Sequence, residues 1–459
     1  MKGSVSRRSV LKGLAQGGVG LVLLRNALSA RSYAANEKLN IALIGVGGRG
    51  KWFVDTIPKV ENVVAFCDVN ASKAAAAYKE FPNIPKYADF RKMFDEKAKE
   101  IDAVIVATPD HTHAIAAVTA MKAGKHVFVE KPMAGCVYEA RVMRETAGKQ
   151  KVATQMGNQG SSSGQFRRGV ELIQDGALGE IKEVYVWNCG GGADVRDLPK
   201  DTPPVPEYLQ WDLWLGPIKD RPFHPRWLGW SQWREFGTGQ IGMWSSHSAY
   251  LEFVALKVAS LWKMDAAAKP RIQIKAEVSG INTLSFPKWE VVHFRVPARD
   301  ELPPITINWI NGHEAKEWRK KIEDHLGRQL DWGDAGEKKW KEHGGALLVG
   351  TKGMLRANEH NGGIWLLPAE QFKDVDVANP KKLPQSRGHE GDWLRACRGG
   401  EPPLSSFGNT GPYMEMMLLA NVATQFEQEL EYDPLEGKVV NNAEADALLR
   451  RPYRAGWSL

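Results

Sequence analysis

The hexapeptide Gly45-Val46-Gly47-Gly48-Arg49-Gly50 constrains the fold of this chain most, because of what flanks it. An apolar run over 39–46 precedes it, the pattern of a strand buried on both faces. A helix pattern follows to about residue 60. A second strand over 63–67 then ends at Asp68, about twenty residues on from the first glycine. Glycines between a strand and a helix, with an acid at that spacing, form a dinucleotide-binding fingerprint. Gly45 permits the tight turn, Gly47 lets backbone approach a pyrophosphate, and Gly50 lets helix and strand pack closely. The helix N-terminus offers free N–H groups to phosphates. A carboxylate at Asp68 accepts from ribose hydroxyls and repels a 2′-phosphate, so NAD is expected rather than NADP.

The alternation continues. Helix patterns at 71–81, 90–99, 113–123 and 138–150 separate strand patterns at 101–107, 126–130 and 152–156, which indicates a doubly wound parallel sheet. Beyond about 157 the rhythm changes. A helix is expected over 166–175, and an alternating strand over 181–189 suits an open-faced sheet. Residues 190–236 read as a long loop, 242–258 as a helix, and segments near 271–279, 289–296, 304–310, 346–349 and 353–357 as strands. Residues 312–345 read as a polar insertion, and 389–398 and 413–429 as closing helices. The expected organisation is a leader over 1–34, a Rossmann domain over 35–156, and an α+β domain over 157–459 with an open, mostly antiparallel sheet. That sheet's free face is expected to meet a partner subunit, in a dimer or tetramer, or the active site.

The formal net charge of +7 suggests a nucleic-acid partner, but its distribution argues against one. Residues 1–34 hold six basic side chains and no acid; without them, 55 basic residues face 54 acidic ones. A nearly neutral body carries no electrostatic footprint for DNA or RNA. The leader contains Ser6-Arg7-Arg8-Ser9-Val10-Leu11-Lys12, which resembles a twin-arginine export signature. A short glycine-interrupted apolar stretch and Ser32-Tyr33-Ala34 follow. This predicts passage through the twin-arginine machinery to the periplasm or cell exterior, a route that carries folded proteins. Cys67, Cys136, Cys189 and Cys397 are scattered and read as unpaired core residues.

Thr108-Pro109-Asp110-His111-Thr112-His113 closes the strand at 101–107, where ligands of open α/β sheets sit. Asp110 reads as a helix cap. The His-x-His spacing has no third ligand nearby in sequence, so no metal site is expected. Glu130-Lys131-Pro132 closes the next strand. A partly desolvated lysine there can donate to a substrate oxygen and exchange a proton.

Together these motifs resemble the Gfo/Idh/MocA oxidoreductases, the glucose–fructose oxidoreductase and inositol dehydrogenase family. Gly157-Asn158-Gln159, the 239–256 segment with His247, and Gly350-Thr351-Lys352-Gly353 are similar to later parts of that family. The resemblance implies NAD contacts along Gly45, Val46, Gly47, Gly48, Arg49 and Gly50, and at Asp68, Thr108, Pro109, His111, His113, Glu130, Lys131 and Asn158. It implies that Lys131 polarises a substrate hydroxyl while His247 acts as general acid/base. Many members carry an acid four residues before that histidine; here the position is Met243, so the usual Lys–Asp–His arrangement is incomplete. Trp211, Trp214, Trp227, Trp230 and Trp233 cluster in the long loop with His224 and Arg226. They suit either sugar-ring stacking or clamping of the loop itself, and the loop is expected to cover the nicotinamide end of the cofactor. The expected activity is hydride transfer on a sugar, cyclitol or polyol. The alternatives are an NAD-dependent glycosidase working by transient oxidation and elimination, and a non-catalytic sugar-binding relative.

Overall fold

Six strands form a parallel sheet: β1 (Asn40–Ile44), β2 (Asn62–Cys67), β3 (Lys86–Tyr87), β4 (Ala103–Val106), β5 (His126–Val129) and β6 (Thr154–Met156). Their order is β3-β2-β1-β4-β5-β6, which leaves a crevice where the winding reverses between β1 and β4. The structure is a computed structural model that describes residues 37–330 and 342–459. The expected export segment lies outside the described residues, as do residues 331–341 of the expected insertion. Among the described residues, no helix is long and apolar enough to cross a membrane.

Helices α1 (Gly50–Thr56), α2 (Ala71–Glu80), α3 (Phe90–Lys97), α4 (Asp110–Lys122) and α5 (Val137–Gln150) accompany these strands. All four residues of β4 are buried, which is why its sequence is an unbroken apolar run. Strand β3 is absent from the sequence reading. It is only two residues long, follows Pro85, and is held at the edge through Asp68 N–H to the Tyr87 carbonyl.

The second sheet has nine strands: β7 (Ile181–Asn188), β8 (Ile272–Val278), β9 (Glu290–Val296), β10 (Ile305–Asn311), β11 (Gly344–Gly350), β12 (Met354–Asn358), β13 (Ile364–Leu367), β14 (Leu430–Asp433) and β15 (Lys438–Val439). Their order is β13-β12-β11-β7-β10-β9-β8-β14-β15, and every pair but β7–β10 is antiparallel. Further helices are α6 (Gly164–Gln174), α7 (Trp211–Leu215), α8 (Gly239–Ser248), α9 (Tyr250–Ala255), α10 (Lys316–Leu326), α11 (His389–Cys397) and α12 (Phe407–Ala423). One face of the sheet, with Val184, Val186, Leu348 and Leu355, joins the core shared with the parallel domain. The other, with Tyr185, Trp187 and Leu347, packs on Ile322 of α10.

Three expectations change. The helix expected over 242–258 is two helices, α8 and α9, broken at Ala249 (φ −111°). The closing helix starts six residues early and runs through Pro412, because its surroundings bury it on nearly every side. Strands β13, β14 and β15 are additions. All four cysteines are buried and free.

Candidate active site

The register of the parallel sheet brings the sequence motifs to one edge. Ile44 pairs with both Cys67 and Val106, and Val106 pairs with Val129, so the segments that follow β1, β2, β4 and β5 open side by side. The glycine loop closes tightly. A Cβ on Gly50 would lie 2.0 Å from the Gly45 carbonyl oxygen, and one on Gly45 (φ +83°) would lie 2.5 Å from the Ala107 carbonyl oxygen. A Cβ on Gly48 would meet nothing within 4 Å, so backbone faces open space there. A cleft of about 220 Å³ follows, lined by Gly47, Asp68, Asn70, Thr108, Pro109 and Trp214 among others. A glycine cradle, open space beside it and a carboxylate at the end of β2 fit a dinucleotide.

Asp68 is already engaged. Its Oδ2 accepts from the Val46 N–H (3.0 Å) and Gly47 N–H (3.3 Å), and its Oδ1 from the Asn70 N–H (2.8 Å). The carboxylate therefore shapes the loop as well as facing the ribose position.

The two histidines of the His-x-His segment part company. His113 is buried, with Nδ1 2.7 Å from the Pro132 carbonyl and Nε2 2.7 Å from the Thr108 carbonyl, so it ties the Lys131–Pro132 turn to the β4 end. His111 points into an aromatic cluster, with its Nε2 2.7 Å from the Trp214 carbonyl and its ring against Trp214 and Phe236. Burial pushes it down to about 3. Neither lines the cleft; two residues apart on a helix, they face different sides. Asp110 is not a cap. It is the first residue of α4, and its Oδ2 accepts from the Thr238 hydroxyl just before α8 (2.7 Å), while burial pushes its carboxyl up to about 7. Among the described residues, no group of three or more His, Cys, Asp and Glu side chains is placed to hold a metal.

The long loop covers a different end of the cleft than expected. It docks beside β2, where Ala71 N–H donates to the Tyr208 carbonyl and Gln210 N–H to the Val69 carbonyl, so Trp214 and Trp230 overlie the adenosine side. Its tryptophans mostly clamp the loop itself: Trp211 stacks on Trp214 at 4.8 Å, and Trp227 meets Trp233 at 4.6 Å.

Beyond β5 lies the second half of the site. Glu130 is buried and accepts from the Arg49 Nε–H (2.7 Å), which draws the glycine loop to the β5 end. Lys131 Nζ lies 5.8 Å from the centre of the Trp244 ring. Burial lowers the Lys131 pKa, against the opposing pull of Glu130 and Asp110. His247, one helical turn after Trp244, is 6% exposed, and its ring centre lies 6.1 Å from that of Trp244. Burial first, then the charge of Lys131, holds it well below the ordinary imidazole range. Asn158 is buried beside this region with no partner for its amide among the described residues.

Several residues escaped the sequence reading. Trp244 carried a signal, its spacing of three from His247. Glu359 and His360 on the β12–β13 turn carried none, although the His360 ring centre lies 4.5 Å from that of His247. His389 is another, with its Nε2 2.9 Å from the Met156 carbonyl.

This geometry defines an NAD-binding Rossmann domain joined to a second domain whose helix α8 brings Trp244 and His247 beside Lys131. Residues 39–158 match the Gfo/Idh/MocA family model, described as oxidoreductase family, NAD-binding Rossmann fold. Among similar proteins, levoglucosan dehydrogenase of Pseudarthrobacter phenanthrenivorans is 29% identical over 158 residues, covering 32% of this chain and 39% of the relative. A glycosyl hydrolase family 109 protein of Solibacter usitatus is 33% identical over 150 residues, covering 29% and 34%. The inositol 2-dehydrogenase of Salmonella paratyphi B is 33% identical over 123 residues, covering 26% and 35%. The matches thus span little more than a third of these relatives' lengths. The fold likeness runs further. A levoglucosan dehydrogenase in complex with NADH aligns with a TM-score of 0.57 at 16% identity, covering 86% of this chain and 99% of that one. The WlbA dehydrogenase from Bordetella pertussis, in complex with NADH and UDP-GlcNAcA, aligns at 0.54 and 17% identity, covering 86% and 98%.

Proposed function

We propose that this protein is an NAD-dependent oxidoreductase acting on a CH–OH group of a sugar, cyclitol or related polyol. The observation that carries the reading is the convergence of Lys131 and His247 on Trp244 at the carboxyl end of β5. NAD bound in the cleft supplies a hydride acceptor. Lys131, its ammonium partly desolvated, donates to the reacting oxygen and stabilises negative charge there. His247 is held neutral near pH 7 and so has a lone pair for the hydroxyl proton. Trp244 offers a flat face to the C–H side of a sugar ring.

The glycosyl hydrolase family 109 relative favours a second reading, in which transient oxidation labilises a glycosidic bond and the cofactor is restored. Residues 1–34 are proposed to export the folded protein by the twin-arginine route, and the exported protein is proposed to be a homo-oligomer. Levoglucosan and myo-inositol with added NAD test the first reading by NADH absorbance, and a chromogenic glycoside tests the second. Lys131→Ala should lower whichever turnover is found by at least about a hundredfold while the circular dichroism spectrum stays unchanged. Near-normal turnover in that variant would remove Lys131 from the chemistry.

A further inference from the structure

We propose that Glu359 and His360, on the turn between β12 and β13, are the proton outlet of His247 and stand in for the acid its own helix lacks. This rests on the function proposed above. His247 is buried, and the basic side chains that bear most on it come from four elements: the charged Lys131 after β5 and Arg49 in the glycine loop, and the imidazoles of His389 at the start of α11 and His360. A proton taken from a substrate hydroxyl therefore arrives where positive charge is opposed, on a ring with little access to water.

His360 meets both needs. Its ring centre lies 4.5 Å from that of His247, which puts the two imidazoles in contact, and its side chain is 43% exposed. Its Nδ1 lies 3.2 Å from Glu359 Oε1, and the other oxygen of that carboxylate faces His343 Nε2 at 2.5 Å. With a proton on Nδ1 donating to Glu359, Nε2 becomes the basic nitrogen of His360, and the carboxylate stabilises the imidazolium formed when that nitrogen is protonated. This is the orienting role of the acid in a hydrolase triad. With NAD⁺ as the acceptor of the hydride that leaves the carbinol carbon, the hydroxyl proton would pass to His247, on to His360 and out to water, leaving a carbonyl and NADH. In the reverse direction it returns by the same route.

The turn is built into the site. Asn361 is fully buried at φ +54°; its Oδ1 accepts from the Leu251 N–H and its Nδ2 donates to the Ser248 carbonyl, both at 3.2 Å. It thus fills the break between α8 and α9, immediately after His247. On the other side the turn presses on the domain junction so closely that a Cβ on Gly160 would lie 1.6 Å from the His360 carbonyl oxygen. Trp244 touches both His343 and His360, which closes the cluster over the ring facing Lys131.

The test uses the full chain labelled with ¹⁵N-histidine, with long-range ¹H–¹⁵N spectra recorded from about pH 9 down to the acid limit of the folded state, where tautomer and protonation of His247 are both read. His360→Gln removes the neighbouring proton-accepting ring, and the His247 titration should shift by about half a pH unit or more. Glu359→Gln should change the His247 tautomer ratio and Glu359→Asp should restore it, with melting temperatures checking the fold. His247 signals that titrate alike in wild type, His360→Gln and Glu359→Gln would overturn the proposal. NADH formation from polyols in the same samples separates the two ideas. Coupled histidines with no reduction of cofactor, bound or free, would sink the oxidoreductase reading alone, whereas cofactor reduction with uncoupled histidines would sink the outlet alone.

Discussion

Asp68→Asn isolates the charge of one carboxylate at nearly constant shape. The native side chain accepts three backbone N–H groups, two from the glycine loop and one from Asn70. An amide has a single oxygen. Turned toward Val46 and Gly47, it keeps two bonds in neutral form, each weakened by roughly 1 kcal/mol, and it sets an NH₂ against the Asn70 N–H, at a cost of about 1–3 kcal/mol. The site is partly solvated, so water recovers part of that total, and a net loss of about 2 kcal/mol is expected. If binding must restore the loop, NAD affinity falls about thirtyfold. NADP should lose less, because its 2′-phosphate no longer meets a carboxylate, and the NAD:NADP preference should shrink. Isothermal titration of cofactor-free protein with each nucleotide measures both quantities. An NAD dissociation constant within about threefold of wild type would refute the argument that this carboxylate orders the loop.

Glu252 is fully buried, its two oxygens lack partners among the described residues, and burial pushes it up to about 8. Between about 4.5 and 8 the folded chain holds a proton that the unfolded chain has released, so stability should fall as pH rises through that window. Urea unfolding at pH 6 and pH 8.5 should show Glu252→Gln removing most of that slope. Trp214→Ala should cost about 3–5 kcal/mol within the loop's own aromatic core and speed nucleotide release, read by stopped-flow fluorescence; an unchanged release rate would show that the loop is not a cover. Arg7→Lys with Arg8→Lys should leave the precursor in the cell interior on fractionation, whereas export of the variant would rule out the twin-arginine route.

The parallel domain was legible because strands covered on both faces must be written as apolar runs, and loops at strand ends must carry the chemistry. Thus 45–50, Asp68, Thr108-Pro109 and Glu130-Lys131 emerge on one edge as the order of the motifs implies. What failed was direction. The His-x-His spacing says nothing of which way each ring turns, and only packing sends His111 to Trp214 and His113 to Pro132. The gap at Met243 was visible, but its counterpart was not. The Asn361 contact with the helix break spans 113 positions, and a polar turn between two short strands shows no periodicity from which to infer such a meeting.

The position of the tryptophan-rich loop bears on kinetics. It grips the adenosine half of the cleft, away from where the proposed hydride transfer would take place, and leaves the edge near Lys131 to smaller molecules. A nucleotide pinned by its adenosine end could stay through many cycles while sugars came and went at the other. Such an enzyme would consume no free NAD. One carbohydrate would load electrons, leave, and be replaced at the same opening by a second that takes them away. Initial rates would then follow parallel lines in a double-reciprocal plot, the mark of a ping-pong exchange between two sugars.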